Sequence, residues 1–383
     1  MRPPPAQALF ILLSASVFAA DASLIVPFFH RGQPAHPDWI GEGVAAAIGE
    51  VWLDQRRAVV PRQDRIEALR RLGARTPAPL TIATIGKAGE LVEARYAIFG
   101  YYEVSPGAEA GDRAGRSLRI TARSVDLRNA TSSPEWVQTG ALADLPAVGT
   151  HLAWRLLEHM FPATAGSLED YLREHPAPRV EALESHIRGL LAPDEASQHR
   201  RFTEAARLDE RYAAPCFELG RMQAGRRNWR VAAEWLERVP ERDVRFIEAA
   251  FLLGLSRYHM GDYAAALAWF ERLAGSSADP EVINNLGAAQ SRMDRPEAAA
   301  SFRKAVETDP IDPDYRFNLG YVLWRRGEFA AAAESFRGVL DRRRDDSEAI
   351  LFLGRALKQS GPRPGDPRSV GLERLKPAAP TRY

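Results

Sequence analysis

The first residues that could do chemistry are two glycines flanking a glutamate, Gly41-Glu42-Gly43, downstream of the apolar run LIVPFF at 24–29. A glycine-rich turn between a strand and a helix can hold a dinucleotide, because its backbone N–H groups reach the pyrophosphate. Such glycines must follow the strand directly, whereas eleven residues separate Phe29 from Gly41. The carboxylate of Glu42 would also repel a phosphate. The pattern therefore predicts small residues that let a helix pack closely on a sheet, and no cofactor site.

Histidines and one cysteine are the other candidate reactive groups. His30, His36 and Asp38 share a loop with the spacing H-x5-H-x-D, but no fourth ligand accompanies them, so we predict solvated side chains and no metal. Cys216 is the single cysteine, which excludes an intrachain disulfide, and its position in APCFELG predicts a buried small side chain. The motifs H-E-x-x-H, G-x-S-x-G and the P-loop do not occur. We therefore predict no catalytic residue.

The composition limits the class of protein. A chain of 383 residues with 45% hydrophobic and 26% charged residues has room for two or three globular domains. The net charge of +1 gives no electrostatic reason to bind nucleic acid or an anionic membrane surface.

Residues 1–22 have the features of a secretory signal. Arg2 supplies positive charge, ALFILLSASVFAA supplies an apolar run, and Ala20-Asp21-Ala22 supplies a small-x-small cleavage site. No other run approaches the roughly 20 apolar residues of a membrane helix, so we expect no integral membrane segment after cleavage. The leader predicts a periplasmic or secreted protein. The alternative is an uncleaved first strand or helix.

Residues 23–161 alternate strand and helix signals. LIVPFF and AVVP are short apolar strand candidates, and DWIGEGVAAAIGEVWLDQ, behind Asp38 as a cap, has apolar residues at helical spacing. DRIEALRRLG, TIATIGKAGELVEA and DLPAVGTHLAWRLLEHM predict further helices. YAIFGYYEV, RSLRITARSVDL and EWVQTGAL predict three more strands. Together they predict a mixed α/β sheet domain with helices packed on it.

This half also resembles a known family. VPFF, DWIGEGVAAAI, YAIFGYYE and RSLRITARSVDL are similar to the small α/β domain at the amino end of TolB. The resemblance covers residues 24–160 and implies a non-catalytic assembly domain.

The second half repeats. Sequences of the form F-E-L-G or N-N-L-G end at glycines spaced by 34, 33, 33 and 34 residues, namely Gly220, Gly254, Gly287, Gly320 and Gly354. A small residue follows each of the first four glycines, at Ala232, Ala266, Ala298 and Ala332, and a large one follows four positions later, at Leu236, Phe270, Phe302 and Phe336. Small residues allow two helices to cross closely, and each helix pair must stack on its neighbours to cover its apolar face.

This pattern resembles the tetratricopeptide repeat, whose period is 34 residues. The resemblance covers residues 180–360 as about five units, of which the first, HIRGLLAPDEASQHRRFTEAARLDE, is degenerate. Residues 162–179 are predicted as a linker and residues 361–383 as a disordered tail. The predicted fold class is α+β, a mixed α/β sheet domain followed by an all-α solenoid.

Stacked repeats curve, and the first helix of each pair lines a concave groove that commonly holds a peptide or a partner helix. Asn285 and Asn318 precede the L-G pair and could hydrogen-bond a peptide backbone. Equally, several of the aromatic residues could simply pack between units. By helical spacing the groove residues are Arg221, Phe251, Leu255, Tyr258, Asn284, Asn285, Phe317, Asn318, Tyr321, Trp324 and Arg355.

The sequence therefore predicts a non-catalytic scaffold that binds a protein or peptide of the bacterial cell envelope. Two alternatives stay open: a nucleotide- or small-ligand-binding amino-terminal domain regulated by the repeats, and a cytoplasmic adaptor if the leader is not cleaved.

Overall fold

The computed structural model describes residues 21–32, 39–74, 79–105, 115–163, 166–363 and 371–377. It divides the chain into two compact units, with the division between Pro193 and Asp194. Most of the predicted leader, and the loop residues His36 and Asp38, lie outside the described residues.

The first unit contains a mixed sheet. The strand β3 is central: it pairs in parallel with β1 and β2 on one side and antiparallel with β4 on the other, while β5 and β6 pair with β4. The predicted strands at 96–104 and 116–127 are confirmed, whereas AVVP forms only a single bridge, from Val59 to Ser23. The strands are β1 (Ser23–Ile25), β2 (Phe29–His30), β3 (Tyr96–Val104), β4 (Ser117–Asp126), β5 (Thr131–Ser132) and β6 (Trp136–Ala141).

Helices cover both faces of this sheet, because the neighbouring strands β1 and β3 carry apolar side chains on both faces. Leu24 and Ala97 pack with residues of α2 and α3, while Ile25 points toward Gly49 of α1. The helices are α1 (Trp39–Asp54), α2 (Arg62–Arg71), α3 (Ile82–Leu91), α4 (Leu145–Met160), α5 (Leu168–Glu174) and α6 (Val180–Leu191). The segment predicted as a linker therefore contains α5.

The G-E-G stretch lies where α1 packs closely on the segment between β1 and β2. A Cβ atom added at Gly41 would lie 1.7 Å from the carbonyl oxygen of Phe28, and the Phe28 N–H donates to the Gly41 carbonyl at 3.2 Å. Glu42 is buried and bonded to Arg62 and Arg65. Burial alone would raise the pKa of Glu42, and the two guanidinium groups hold it below its ordinary value. Gly41 therefore serves close packing, and Glu42 forms an internal ion pair with two arginines.

The second unit consists of ten helices among the described residues, followed by a short extended segment. Consecutive helices pack on each other in pairs, α8 with α9, α10 with α11, α12 with α13 and α14 with α15. The helices are α7 (Glu195–Leu208), α8 (Ala213–Gly225), α9 (Trp229–Leu236), α10 (Phe246–His259), α11 (Tyr263–Ser276), α12 (Pro280–Arg292), α13 (Ala298–Thr308), α14 (Pro313–Arg325), α15 (Phe329–Leu340) and α16 (Ser347–Leu357).

The repeated glycines make room for the repeated large residues. A Cβ atom at Gly287 would lie 2.9 Å from the ring of Phe302, and one at Gly254 would lie 2.9 Å from the ring of Phe270. Gly354 has nothing within 4 Å of its added Cβ. The L-G pattern is therefore a helix-pairing signal, as the period predicted.

The array begins later than residue 180. The side chains of Leu183 and Ile187 in α6 lie beside Gly43 of α1, at 3.8 and 3.9 Å from its added Cβ, so α6 packs within the first unit. The apolar face of α6 is thus covered by α1 and α4, and the helical array of the second unit begins with α7.

Candidate functional site

Residues 371–377, here called the tail segment, lie without regular secondary structure against the helices of the second unit. The sequence predicted disorder over 361–383, because the region is rich in proline and arginine. For the tail segment this prediction is wrong: side chains of α10, α12, α14 and α16 and of their amino-terminal caps bond to it. These contacts, not regular secondary structure, hold it.

Two asparagines bond to the backbone of the tail segment. The side chain of Asn318 accepts from the Arg374 N–H at 2.7 Å and donates to the Arg374 carbonyl at 2.8 Å. Asn285 makes the same two bonds to Lys376, at 2.9 and 3.0 Å. Because the bonded residues alternate, the segment runs extended, with a repeat of two residues. The asparagines recognise main-chain groups, which every peptide possesses.

A third asparagine joins these two into a network. Asn284 donates to the Arg374 carbonyl at 2.9 Å, and its own side-chain oxygen accepts from Asn318 at 2.8 Å. All three asparagines are fully buried. Buried amides require partners, and the tail segment supplies several of them.

Carboxylates surround the two basic residues of the tail segment. The guanidinium of Arg374 bonds to Asp346 at 2.7 and 2.8 Å and to Glu348 at 2.9 Å, and it lies 3.6 Å from the ring centroid of Phe317. The ammonium of Lys376 bonds to Asp314 at 2.9 Å. Asp312 pairs with the same ammonium. This set of four acidic residues, Asp312, Asp314, Asp346 and Glu348, is here called the acidic pocket.

The repeat places these acids. Asp312 and Asp346 are the N-caps of α14 and α16, where their side chains accept backbone N–H groups. An acidic residue follows two positions later in each case, at Asp314 and Glu348. The acidic pocket is not among the sequence predictions, although the recurrence of D-x-[DE] at the repeat period indicates it.

The opposite end of the site receives an acidic side chain. The carboxylate of Glu373 is fully buried, accepts from the Ser291 hydroxyl at 2.6 Å and from the Tyr258 hydroxyl at 3.3 Å, and lies 3.9 Å from Arg325. Burial, and next the charge of Glu373, raise the pKa of Tyr258, which keeps its hydroxyl protonated as a donor. Ser291, Tyr258 and Arg325 are here called the carboxylate pocket.

Other predicted groove residues belong to the core. Phe251 and Leu255 are buried in the hydrophobic cluster of the array. Tyr321 is buried in the same cluster but also lies beside the tail segment, since burial and next the charge of Glu373 raise the pKa of its hydroxyl. The buried Trp324 donates its indole N–H to the Ser360 carbonyl at 2.7 Å, and Arg355 stacks over its ring.

Arg221 pairs with Glu218 of its own helix at 2.6 Å. The predicted residues that the structure brings to the tail segment are Tyr258, Asn284, Asn285, Phe317, Asn318 and Tyr321.

The other reactive candidates show no site in the part of the chain that is described. No group of three or more His, Cys, Asp or Glu side chains there could hold a metal ion. Cys216 is buried, and burial raises the pKa of its thiol, which disfavours the nucleophilic thiolate. Among the described helices, none combines the length and the apolar character needed to cross a membrane.

The acidic pocket makes the tail segment sensitive to pH. Hydrogen bonds from Arg374 hold the pKa of Asp346 below its ordinary value, and those from Lys376 and Arg343 outweigh burial to do the same for Asp314. Because these pKa values are lower when the tail segment is bound, the carboxylates favour the bound state above about pH 4. That contribution is lost as the pH falls through the lowered values.

We therefore expect the Lys376 amide to be protected from hydrogen exchange at pH 6 and to lose protection toward pH 3, after correction for the intrinsic rate. The amide of Phe302, buried in the array, serves as the control for acid unfolding. Equal protection of Lys376 at both pH values would contradict the electrostatic account.

The chain can now be compared with known proteins. Residues 217–281 and 288–361 match the family model of the tetratricopeptide repeat. Tetratricopeptide repeat protein 8 of Caenorhabditis elegans is 25% identical over 140 residues, which cover 36% of this chain and 28% of that protein. The chain thus matches less than a third of the length of that relative.

Solved structures are also similar. YrrB, a TPR protein with an unusual peptide-binding site, is 20% identical over 44% of this chain and 87% of its own, with a TM-score of 0.36. MamA from Desulfovibrio magneticus RS-1 is 24% identical over 42% of this chain and 92% of its own, with a TM-score of 0.38.

The fold is thus a mixed-sheet unit followed by a helical solenoid, as the sequence predicted, and residues 217–281 and 288–361 of the solenoid match tetratricopeptide repeats. Proteins with these repeats generally mediate protein–protein interaction and are typically non-catalytic scaffolds.

Proposed function

We propose that this protein is a non-catalytic scaffold whose second unit binds an extended segment of a partner protein, along the surface that the tail segment covers. The observation that carries the proposal is the pair of asparagines, Asn285 and Asn318, each bonded to both backbone groups of one residue. These bonds require an extended backbone and no particular side chain, so a partner segment can make them as well as the tail segment does.

The proposal is tested by comparing proteins captured from an envelope extract. Every bait is the full chain with Arg374→Glu/Lys376→Glu, so that the tail segment does not compete for the surface. One bait carries no other change, one adds Asn285→Ala/Asn318→Ala, and a control bait adds Asn129→Ala/Asn228→Ala. The control residues are both exposed. We expect at least one protein to be retained by the bait with no other change and by the control bait, and to be depleted about tenfold or more with the bait that adds the two asparagine changes.

The depletion follows from four main-chain hydrogen bonds that alanine cannot make, each contributing about 0.5–1.5 kcal/mol net. Identical capture profiles for the three baits, with unchanged helical circular dichroism, would rule out this surface as the binding site.

We also propose that the scaffold acts in the bacterial cell envelope, in the periplasm or outside the cell. The secretory features of residues 1–22 support this, and so does the resemblance of residues 24–160 to the amino-terminal domain of TolB. Sequencing the amino terminus of the mature protein tests it: a start near Asp21 or Ser23 supports export, and a start at Met1 contradicts it.

A further inference from the structure

The tail segment reads G-L-E-R-L-K-P, and its charges match the groove in order. Glu373 enters the carboxylate pocket, while Arg374 and Lys376 enter the acidic pocket. The two pockets favour opposite charges. The carboxylate pocket supplies hydroxyl donors and a guanidinium, and the acidic pocket supplies four carboxylates. The groove therefore distinguishes the order of charges along a peptide as well as its backbone.

We propose that the groove selects partner segments of the pattern acidic–basic–any–basic. We further propose that the chain's own tail segment is a resident occupant that such a partner displaces. This inference rests on the proposed function, because it names the chemistry of the peptide that the groove binds.

The acidic pocket provides one half of the selectivity. Asp314 is shared between Arg374, at 3.3 Å, and Lys376, at 2.9 Å, so the pocket fits two cations that stand two residues apart. Arginine suits the first position, because its planar group bonds to two carboxylates and stacks on Phe317 at once. A peptide that placed a carboxylate here would meet like charges in a partly buried site.

The carboxylate pocket provides the other half. Glu373 is buried with its oxygens bonded to Ser291 and Tyr258, and a lysine in its place would bring a second cation beside Arg325. Leu372 and Leu375 pack against the hydrophobic cluster of the array. They contribute apolar contact, and the charged positions 373, 374 and 376 set the order.

Covalent attachment gives the tail segment an advantage over a free peptide. A ligand attached through a short tether is held at an effective concentration in the millimolar range. A free partner must compete with it, so its apparent affinity is lower than its intrinsic affinity by the fraction of groove that is open. The occupant thus sets a threshold concentration that a partner must exceed.

The test uses the full chain and the labelled peptide GLERLKP. A release variant, Arg374→Glu/Lys376→Glu, places two carboxylates against the acidic pocket and should free the groove. A matched control, Arg303→Glu/Lys304→Glu, reverses one arginine and one lysine that are exposed on α13. Fluorescence anisotropy measures binding of GLERLKP and of a charge-swapped peptide, GLKELEP, to all three chains.

We expect the release variant to bind GLERLKP at least tenfold more tightly than the original chain and the control do, and to bind GLKELEP at least tenfold more weakly than GLERLKP. Equal affinity of the release variant and the original chain for GLERLKP would contradict the proposal that the tail segment occupies the groove. Equal affinity of the release variant for the two peptides would overturn the charge pattern.

The outcomes separate this inference from the proposed function. The release variant could bind both peptides equally, and adding Asn318→Ala to it could abolish binding of both. In that case the groove still binds peptides and only the proposed charge pattern is wrong. If the release variant binds neither peptide at millimolar concentration, the charge pattern and the peptide groove both fail.

Discussion

Alanine in place of Gly41 is expected to destabilise the first unit by about 3 kcal/mol or more, at the upper end of the usual cost of overpacking. The added Cβ would stand 1.7 Å from the carbonyl oxygen of Phe28, which is a backbone atom and has no rotamer to escape through. Relief therefore requires α1 to move away from the segment that carries Phe28, which also breaks the bond from the Phe28 N–H to the Gly41 carbonyl.

Hydrogen exchange read by mass spectrometry on the full chain locates this effect. Peptides from α1 and β3 should lose protection, whereas those from α10 to α15 should keep it. Gly86→Ala is the control: Gly86 lies in α3 with nothing within 4 Å of its added Cβ, so alanine should stabilise this helix by up to about 1 kcal/mol. Unchanged protection in Gly41→Ala would mean that α1 does not approach the sheet as described.

This expectation also bears on the nucleotide alternative. A loss of nucleotide binding in Gly41→Ala would report unfolding, not a lost phosphate contact. Gly43→Ala is the usable variant, since its added Cβ makes only ordinary contacts of 3.8 to 3.9 Å.

Replacing Trp324 with alanine is expected to destabilise the repeat array by about 3–5 kcal/mol. The indole is fully buried, its ring centroid lies 4.8 Å from that of Phe352 and 6.1 Å from that of Tyr321, and its N–H satisfies the Ser360 carbonyl. Truncation leaves a cavity and an unpaired acceptor together.

Urea unfolding followed by circular dichroism measures this loss. The control is Trp235→Ala on α9, a half-buried tryptophan under the guanidinium of Arg238, for which we expect a loss of about 1 kcal/mol. If Trp324→Ala kept its full stability and lost only peptide binding, Trp324 would face the groove after all, as its helical spacing had suggested.

Periodicity explains what the sequence could predict. Gly254 and Phe270 lie sixteen residues apart and Gly320 and Phe336 repeat that spacing, so the pairing follows from one unit and is repeated in the others. The same logic placed Asn285 and Asn318 at equivalent positions on the concave side, where both bond to the tail segment.

Spacing alone could not separate a groove residue from a core residue. Tyr258 and Phe251 both fall on the face predicted for the groove, yet Tyr258 reaches Glu373 while Phe251 packs edge-to-face on Phe270. A turn of helix resolves the direction of a side chain only coarsely, and the neighbouring helices decide how deep it lies.

The tail segment escaped prediction for a different reason. It has no period, no helical or strand pattern, and its composition is typical of disorder. Its partners stand far away along the chain: 91 residues separate Lys376 from Asn285. Asp346 was readable as a helix cap, and only the fold shows that the same carboxylate also bonds to Arg374.

The tail segment has a mechanical consequence for the solenoid. In a stack of repeats each unit touches only its neighbours, so the end units can fray one at a time. Here one strand of chain bonds to Tyr258 of α10, Ser291 of α12, Asn318 of α14 and the cap of α16. The tail segment thus connects four successive repeats. Fraying of the last helix must therefore also disrupt the bonds of the tail segment to the other three. The carboxyl-terminal half of the array should therefore unfold as one cooperative unit while the tail segment is bound, and repeat by repeat once the tail segment is removed.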